Sequence, residues 1–384
     1  MTLPCLRFLA LPLCLLALPA AAADQSKILP WPWADQLARD TLEWLGADGE
    51  FDPSNGIDWG LIPGPVYSPE KQFGIGLSAV GLFIADDTMT EYAPSSITLK
   101  GYGSSNGSIG TELEVRSHFQ HDSRRFYLDI NLEDAPDSYY GIGIAEGRPD
   151  RNEVEFDRRS IQLAPRFLWR IAASTYAGVG IDFQRSEGSS LKPQQPDNRN
   201  GFGTDSQNLA ISGHWVYDSR DFALNAASGK LLQADIKAYS KDVGSEQSFQ
   251  QLALIYSQYQ PIGAATLAWQ VQSQLSQGDV PWDQMAQLGG SRKLRGYDAG
   301  RYRDNQLLMA QAEWRQPLYG RHGAVAWVGM GTLADKISQL GQEKWLHSIG
   351  VGYRFAIKSN VNLRLDLAFG NGDKGAYFSV NEVF

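Results

Sequence analysis

From Gln72 to Phe384 apolar and polar residues alternate with a period of two, segment after segment, and no other feature constrains the fold as strongly. Successive side chains of an extended strand point to opposite faces, so this period specifies strands with one apolar and one polar face. Leu113, Val115 and Phe119 alternate with Glu112, Glu114, Arg116 and His118. Val361, Leu363, Leu365, Leu367 and Phe369 alternate with Asn362, Arg364 and Asp366. In a soluble sandwich the polar faces look outward to water and the apolar faces pack together. Here many polar faces carry several charged or Gln residues per strand, which suits a closed barrel with lipid outside and a wet, polar lumen inside.

The connections fix the count. Clear strands fall near 72–84, 95–104, 109–119, 123–134, 158–171, 174–185, 206–218, 229–240, 248–260, 263–276, 305–317, 322–334, 345–357, 360–369 and 375–384. Single-chain outer-membrane barrels have even strand numbers, with short turns at one end and longer loops at the other. Counting back from Phe384, this alternation fails in 135–157, so Tyr139–Glu146 is expected as one further strand. The expectation is an all-β, antiparallel transmembrane barrel of sixteen strands over 72–384. Its first strand, Gln72–Phe83, should close on the last, Gly375–Phe384. Gly74 and Gly76 thin one side of that seam, which is expected to be the weakest pairing. Ala376, Phe378, Val380 and Phe384 are placed on one face of the last strand, and Glu382 at the rim.

Residues 1–23 have one early cation, Arg7, an apolar run from Phe8 to Leu18, and Ala21-Ala22-Ala23 before Asp24. This pattern reads as a secretory signal peptide. Cys5 and Cys14 both lie within it, so the processed chain is expected to lack disulfides and thiolate metal sites. The net charge of −9 disfavours nucleic acid as a partner. Between Asp24 and Lys71 there is one helical pattern, Trp33–Leu45, readable as a periplasmic or lumenal helix or as a tether. Asp58 to Pro69, broken by Pro63, Gly64 and Pro65, reads as an extended lead-in. His118 and His121 lie across a strand end and favour a surface turn over a metal site. No Ser–acid grouping is readable around His214 or His347, so the sequence gives no sign of an enzyme, and no cofactor or metal motif is present.

One long connection has no periodicity of its own. It contains Leu288-Gly289-Gly290-Ser291-Arg292-Lys293-Leu294-Arg295-Gly296-Tyr297. Three readings are open: an anion-binding nest, a solvated basic loop, or a segment folded back into the lumen. The nest lacks the Gly-Lys-Ser/Thr ending of a phosphate loop.

These residues resemble the BamA/TamA-type outer-membrane assembly barrels and two-partner-secretion transporters, the bacterial surface antigen family. Leu294-Arg295-Gly296-Tyr297 is similar to that family's (V/I/L)-R-G-(F/Y) motif in the sixth outer loop, with Gly289-Gly290 upstream. Tyr217-Asp218-Ser219-Arg220-Asp221 leading to Ser228-Gly229 resembles its D-x-R-D…S-G turn. The resemblance implies that Arg295 enters the lumen and pairs with an inward acid. The position matching the family's usual acid is Gly329, in Trp327-Val328-Gly329-Met330-Gly331, so Glu313 and Asp366 are the expected substitutes. The short segment before the barrel implies a branch without periplasmic POTRA domains. A terminal aromatic at Phe384 resembles the signal read by barrel-assembly machinery. The implied location is the bacterial outer membrane with a periplasmic C-terminus. The implied partners are outer-membrane lipids, that machinery, and unfolded outer-membrane proteins or lipids as clients; a homo-oligomer is compatible. Three functions stay open: an assembly or translocation barrel, a passive or lipid-handling pore, and a structural surface protein.

Overall fold

A computed structural model describes residues 31–46, 56–89, 94–192, 205–358 and 361–384, with Ile28 and Gly203 besides. The signal segment 1–23, with Cys5 and Cys14, lies outside the described residues. The first half of the barrel comprises β1 (Ile57–Ser68), β2 (Gln72–Phe83), β3 (Ser95–Ser104), β4 (Ile109–Phe119), β5 (Arg124–Tyr139), β6 (Val154–Ala172), β7 (Thr175–Lys192) and β8 (Asp205–Asp218). It continues through β9 (Gly229–Tyr239), β10 (Phe249–Ile262) and β11 (Ala265–Gly278). Loop six then carries a separate two-stranded ribbon, β12 (Ala286–Leu288) with β13 (Tyr302–Asp304). The wall resumes with β14 (Gln306–Tyr319), β15 (His322–Ala334), β16 (Leu346–Lys358), β17 (Val361–Phe369) and β18 (Lys374–Val380). Apart from the ribbon, sixteen strands among the described residues form one closed antiparallel barrel, each beside its neighbour in sequence, with β1 meeting β18.

The alternation sorts as a membrane barrel requires. Ile75, Val179, Ile211, Val328 and Ile349 project outward and are each more than half exposed. Their inward neighbours include Asp182, Arg315, Glu313, Arg364 and Asp366, all buried in the lumen. The only way to cover such an outer surface without an open sheet edge is a closed cylinder in lipid. No described helix is long and apolar enough to cross a membrane, so any crossing is made by the strands.

Sixteen strands are present, but their membership differs from the sequence expectation at both ends. The segment read as a lead-in is β1, so the barrel begins at Ile57 rather than Gln72. Pro63 and Pro65, two residues apart, lack donors on the same edge of the strand. That loss is tolerated because β1 pairs with β2 at twelve successive positions, whereas Tyr67↔Phe378 is the one registered pair with β18. Tyr139–Glu146 is not a strand. Tyr139 ends β5, and Ile144–Gly147 forms a helical turn, with Gly141 and Gly143 at positive φ between them. The seam therefore lies between β1 and β18, and Gly74 and Gly76 sit one strand away on β2.

The last strand is shorter than expected, ending at Val380. Asn381 turns at φ +68, and residues 382–384 enter the barrel. Val380 packs with Ile62, Val80, Ile357 and Val361 beside Leu45. At the same end α1 (Pro32–Trp44) begins on a proline, whose missing N–H is unneeded in a first helical turn. Leu61 N donates to Leu45 O at 2.8 Å, which docks the end of this helix on β1.

Candidate functional site

Loop six turns back into the barrel because its backbone allows it. Gly289, Gly290 and Gly296 have φ of +107°, +80° and +103°. At Gly296 a Cβ would lie 2.9 Å from main-chain atoms of Phe369 and Gly370, so the loop rests directly on the backbone of the β17–β18 turn. Leu288, Leu294, Tyr297 and Tyr302 from the loop pack with Met309, Leu333 and Leu346 from the wall. This apolar seat offsets the cost of burying a polar loop.

Arg295 stands at the centre of this packing and its side chain is fully buried. Its Nη2 donates to Glu313 Oε1 at 2.5 Å, and its Nη1 donates to Asp366 Oδ2 at 2.6 Å. The two carboxylates come from different strands, β14 and β17, so one guanidinium ties separated parts of the wall. The guanidinium carbon also lies 3.6 Å from the ring centroid of Trp327, the cross-strand partner of Glu313. A planar cation can serve two carboxylates and a ring face together, which an ammonium cannot do. Gly296 N donates to Tyr377 Oη at 3.0 Å, and Tyr297 Oη donates to His347 O at 2.7 Å.

The pairing extends beyond Arg295. Arg315 Nε donates to Glu313 Oε2 at 3.0 Å, and Arg354 Nη1 donates to Asp366 Oδ1 at 2.6 Å. Arg354 Nε also reaches Glu382 at 2.8 Å, and Arg315 Nη2 reaches Phe384 O at 2.9 Å. A continuous charge network thus joins loop six to residues 382–384, which enter from the opposite end. Gly352 makes room for it, since a Cβ there would lie 2.3 Å from Asp366 Oδ1.

The structure brings together five of the residues singled out from the sequence: Arg295, Gly296, Tyr297, Glu313 and Asp366. Position 329 faces Leu294 instead of an ion pair; a Cβ on Gly329 would lie 3.2 Å from Leu294 Cδ1. Phe378 sits at the seam against Gly64, where a Cβ would meet its ring at 2.9 Å. Phe384 does not share an outer face with Phe378. It packs inside near Tyr259, Ala226 and Ala268. Glu382 is likewise buried on Arg354 rather than lying at the rim. The sequence did not single out Trp327, Arg315, Arg354 or Gly352 for this cluster, although alternation alone puts Arg315 and Trp327 on inward faces.

At the loop's outer edge, Ala299 N donates to Glu70 Oε1 at 2.5 Å, in the β1–β2 turn. Asn371 N, in the β17–β18 turn, donates to Tyr297 Oη at 2.8 Å, and Arg301 lies 3.7 Å from Asp373. One loop therefore contacts the turns on both sides of the seam. Asp298 lies between them. Burial, with the Glu70 and Asp373 carboxylates, pushes its pKa up to about 6, against the pull of Arg301.

The second motif builds a turn. Asp218 accepts from Arg220 Nε and Nη2, both at 2.9 Å, and Asp221 N donates to Ser228 O at 3.2 Å. Gly229 has φ +99, and a Cβ there would lie 2.2 Å from Ser219 O. Asp122, which follows the His118 and His121 pair in sequence, accepts from Arg125 Nε and Nη2, each at 2.7 Å. His214, which had no readable partners in the sequence, lies between Ser212 and Asp235.

A closed sixteen-strand cylinder with an apolar exterior and a charged, loop-filled lumen defines an outer-membrane β-barrel. Residues 101–384 match the Omp85 superfamily domain, and the chain belongs to that superfamily. Among solved structures, the fold is similar to BamA from Haemophilus ducreyi lacking POTRA domains 1–3, with TM-score 0.53 and 14% identity over 84% of this chain and 69% of that one. CdiB from Escherichia coli gives TM-score 0.54 and 10% identity, over 84% of this chain and 61% of that chain. CdiB from Acinetobacter baumannii gives TM-score 0.50 and 12% identity, over 84% of this chain and 59% of that chain. The chain thus spans about three fifths of the CdiB chains it matches. No curated protein sequence matches it significantly.

Proposed function

We propose that this chain is an assembly or translocation barrel of the outer membrane, with loop six as a latch that holds the lumen closed. The observation that carries this reading is the fully buried Arg295, shared between Glu313 on β14 and Asp366 on β17. A buried cation between two strands holds a defined closed state, because separating it from either acid leaves a charge unpaired in a dry site. Gly296 and Tyr297 seat the loop, and the contacts of Ala299 and Asn371 carry the closure to both sides of the β1–β18 seam. The thin seam is the place where the wall opens to lipid or to a client strand. Tyr67 and Phe378 face one another there, with Val380 below.

In this reading the longer connections, such as 140–153 and 279–305, face outward and the C-terminus lies in the periplasm. Barrel-assembly machinery inserts the chain, and its clients are unfolded outer-membrane proteins or lipids. The test places photo-crosslinking residues at Tyr67 and Phe378 in cells. Adducts with newly made outer-membrane proteins support the proposal. Steady ion conductance of the purified barrel in planar bilayers, with no client adducts, would replace it with a passive pore.

A further inference from the structure

The helix α1 leaves an apolar stripe uncovered. Trp33, Leu37 and Trp44 follow one another at spacings of four and seven residues, which sets them on one side of the helix. They are 72%, 60% and 83% exposed, and Trp31, at the N-cap, is exposed as well. Ala34 is buried, so a different side of the helix meets the protein. A single exposed apolar residue needs no explanation, but three large ones in line on so short a helix mark a contact surface.

The two ends of this segment fix which side of the barrel it lies on. Ile28 N donates to Asp35 Oδ1 at 2.5 Å, which ties residue 28 to the first turn of α1. Ile28 O lies 2.5 Å from His322 Nε2. On β15, Val325 and Trp327 point inward, so His322 belongs with Val328 to the outward set. It packs there with Tyr319, Tyr353 and Phe355, at the end of the barrel that carries the short turns. At its other end α1 meets the seam. Continued antiparallel, the Tyr67↔Phe378 register would set Phe384 opposite Leu61, but residues 382–384 have left the wall for the lumen. Leu45 takes the vacant place, where its O accepts from Leu61 N at 2.8 Å. Gly46 follows at φ +67, and a Cβ there would lie 2.3 Å from Trp59 O, so the chain lies directly on the β1 edge. Between β15 and β1 stand β16, β17 and β18. Four strand spacings of about 4.8 Å match the roughly 20 Å length of a helix of this size.

We propose that α1 is an in-plane membrane helix in the headgroup layer at this end of the barrel, and that its hold on lipid keeps Leu45 on the seam edge. Trp59, Tyr319 and Tyr353 on the neighbouring outward wall are partly exposed at the same end. Such rings suit that depth, because the ring is apolar while its N–H or O–H stays hydrated. Trp33 and Trp44 continue this girdle along the helix. Many interfacial helices add lysines and arginines that attract anionic lipid. This one carries Asp35, Asp40 and Glu43 against Arg39 alone, so its partner is a neutral, zwitterionic phospholipid surface and its hold is apolar. The strap lies outside the wall and does not depend on the role of loop six.

The test uses the chain processed at Asp24, which retains no cysteine, folded in phosphatidylcholine vesicles. A nitrobenzoxadiazole label is placed in turn on Leu37→Cys, Trp44→Cys and, on the polar side, Glu43→Cys. Labels at 37 and 44 should be quenched by lipids with a doxyl group near the headgroup and shielded from aqueous iodide. The label at 43 should be open to iodide, and added phosphatidylglycerol should not strengthen the doxyl quenching. Iodide quenching at 37 and 44 equal to that at 43 would overturn the proposal by leaving the stripe in water. Shielding from iodide without doxyl quenching would overturn it in favour of a protein cover, such as a second copy of the chain. The strap is read separately by amide exchange at Leu61 in Leu37→Glu/Trp44→Glu, whose substituted side chains are exposed and whose folding is checked by heat-modifiable migration. Exchange at Leu61 should rise at least about tenfold as the helix leaves the seam; an unchanged rate in the folded variant overturns the role of lipid in holding it.

Discussion

The two places where this barrel is held shut differ in almost every physical respect. Around Arg295, four arginines (Arg295, Arg315, Arg354 and Arg364) and three acids (Glu313, Asp366 and Glu382) interlock in a site closed to solvent, with partners drawn from β14, β16, β17, loop six and the final residues. At the β1–β18 seam one registered pair and the ring of Phe378 over Gly64 do the same work. The strong closure lies in side chains crossing the lumen, not in the backbone ladder. A cylinder built this way joins a densely bonded interior to a wall that is thinnest at one line, and loop six contacts both sides of that line.

The largest effect should come from the strong region. Arg295→Ala leaves two buried carboxylates short of a partner and should cost on the order of 2–5 kcal/mol. The expected readouts are a lower temperature for loss of heat-modifiable migration and new cleavage of residues 277–304 by external protease. Glu313→Gln and Asp366→Asn should move both readouts the same way. Unchanged melting and proteolysis in Arg295→Ala would mean that the seam alone holds the barrel, and the comparison collapses.

Gly296→Val separates loop seating from charge. It retains every ion pair but forces a branched side chain into positive φ and against the backbone of Phe369 and Gly370. Strain of this kind costs about 1–3 kcal/mol, so loop cleavage should rise while the melting temperature falls less than in Arg295→Ala. Equal effects would show that the backbone seat, and not the guanidinium, dominates.

The weak region is tested by locking it. Tyr67 and Phe378 are direct cross-strand partners, and opposed residues in antiparallel strands stand about 4.5–5.5 Å apart at Cα, within disulfide range. The Tyr67→Cys/Phe378→Cys pair should oxidise readily and, with the photo-crosslinking residue moved to the exposed Leu61 on β1, block client crosslinking until reduced. If the locked barrel still forms client adducts at the wild-type level, the seam is not the route.

The smallest effect is the pH response of the edge that joins the two regions. Asp298 has a folded pKa of about 6, raised by burial and by Glu70 and Asp373, with Glu153 adding to them and Arg301 opposing. An acid whose pKa is raised on folding stabilises the fold when protonated. That gain is complete below the ordinary carboxylate range and is lost as pH rises through about 6. Amide hydrogen exchange in 296–301 should therefore be slower at pH 5 than at pH 7.5 after correction for the intrinsic rate, and Asp298→Asn should flatten the difference. A variant with the same pH response as wild type places the titration elsewhere.

Much of this protein was settled by the order of its residues. Period-two alternation fixes which side chains face lipid, because a strand has only two faces; it therefore gave the closed barrel and the inward placing of Glu313 and Asp366, while the parity of the connections gave sixteen strands with one of them placed at Tyr139–Glu146 instead of Ile57–Ser68. The Arg295-Gly296-Tyr297 motif pointed to a loop in the lumen through its resemblance to the family's loop-six motif, whereas the residues of the segment alone left three readings open. Other features depend on long-range register, which no local pattern encodes. The prolines of 57–68 obscured a strand because their cost vanishes only on an edge with almost no ladder, and that edge exists only once the barrel has closed. Residues 381–384 looked like the end of a strand, yet Arg315 and Arg354 draw them inward, an attraction between groups far apart in sequence. Gly329 could be recognised as lacking an acid, but Trp327 as the cation's second support could not, since stacking depends on where loop six comes to rest. Ser212, His214 and Asp235 met for the same reason: the hydrogen bonds between β8 and β9 set their register, and that register is a property of the folded sheet alone.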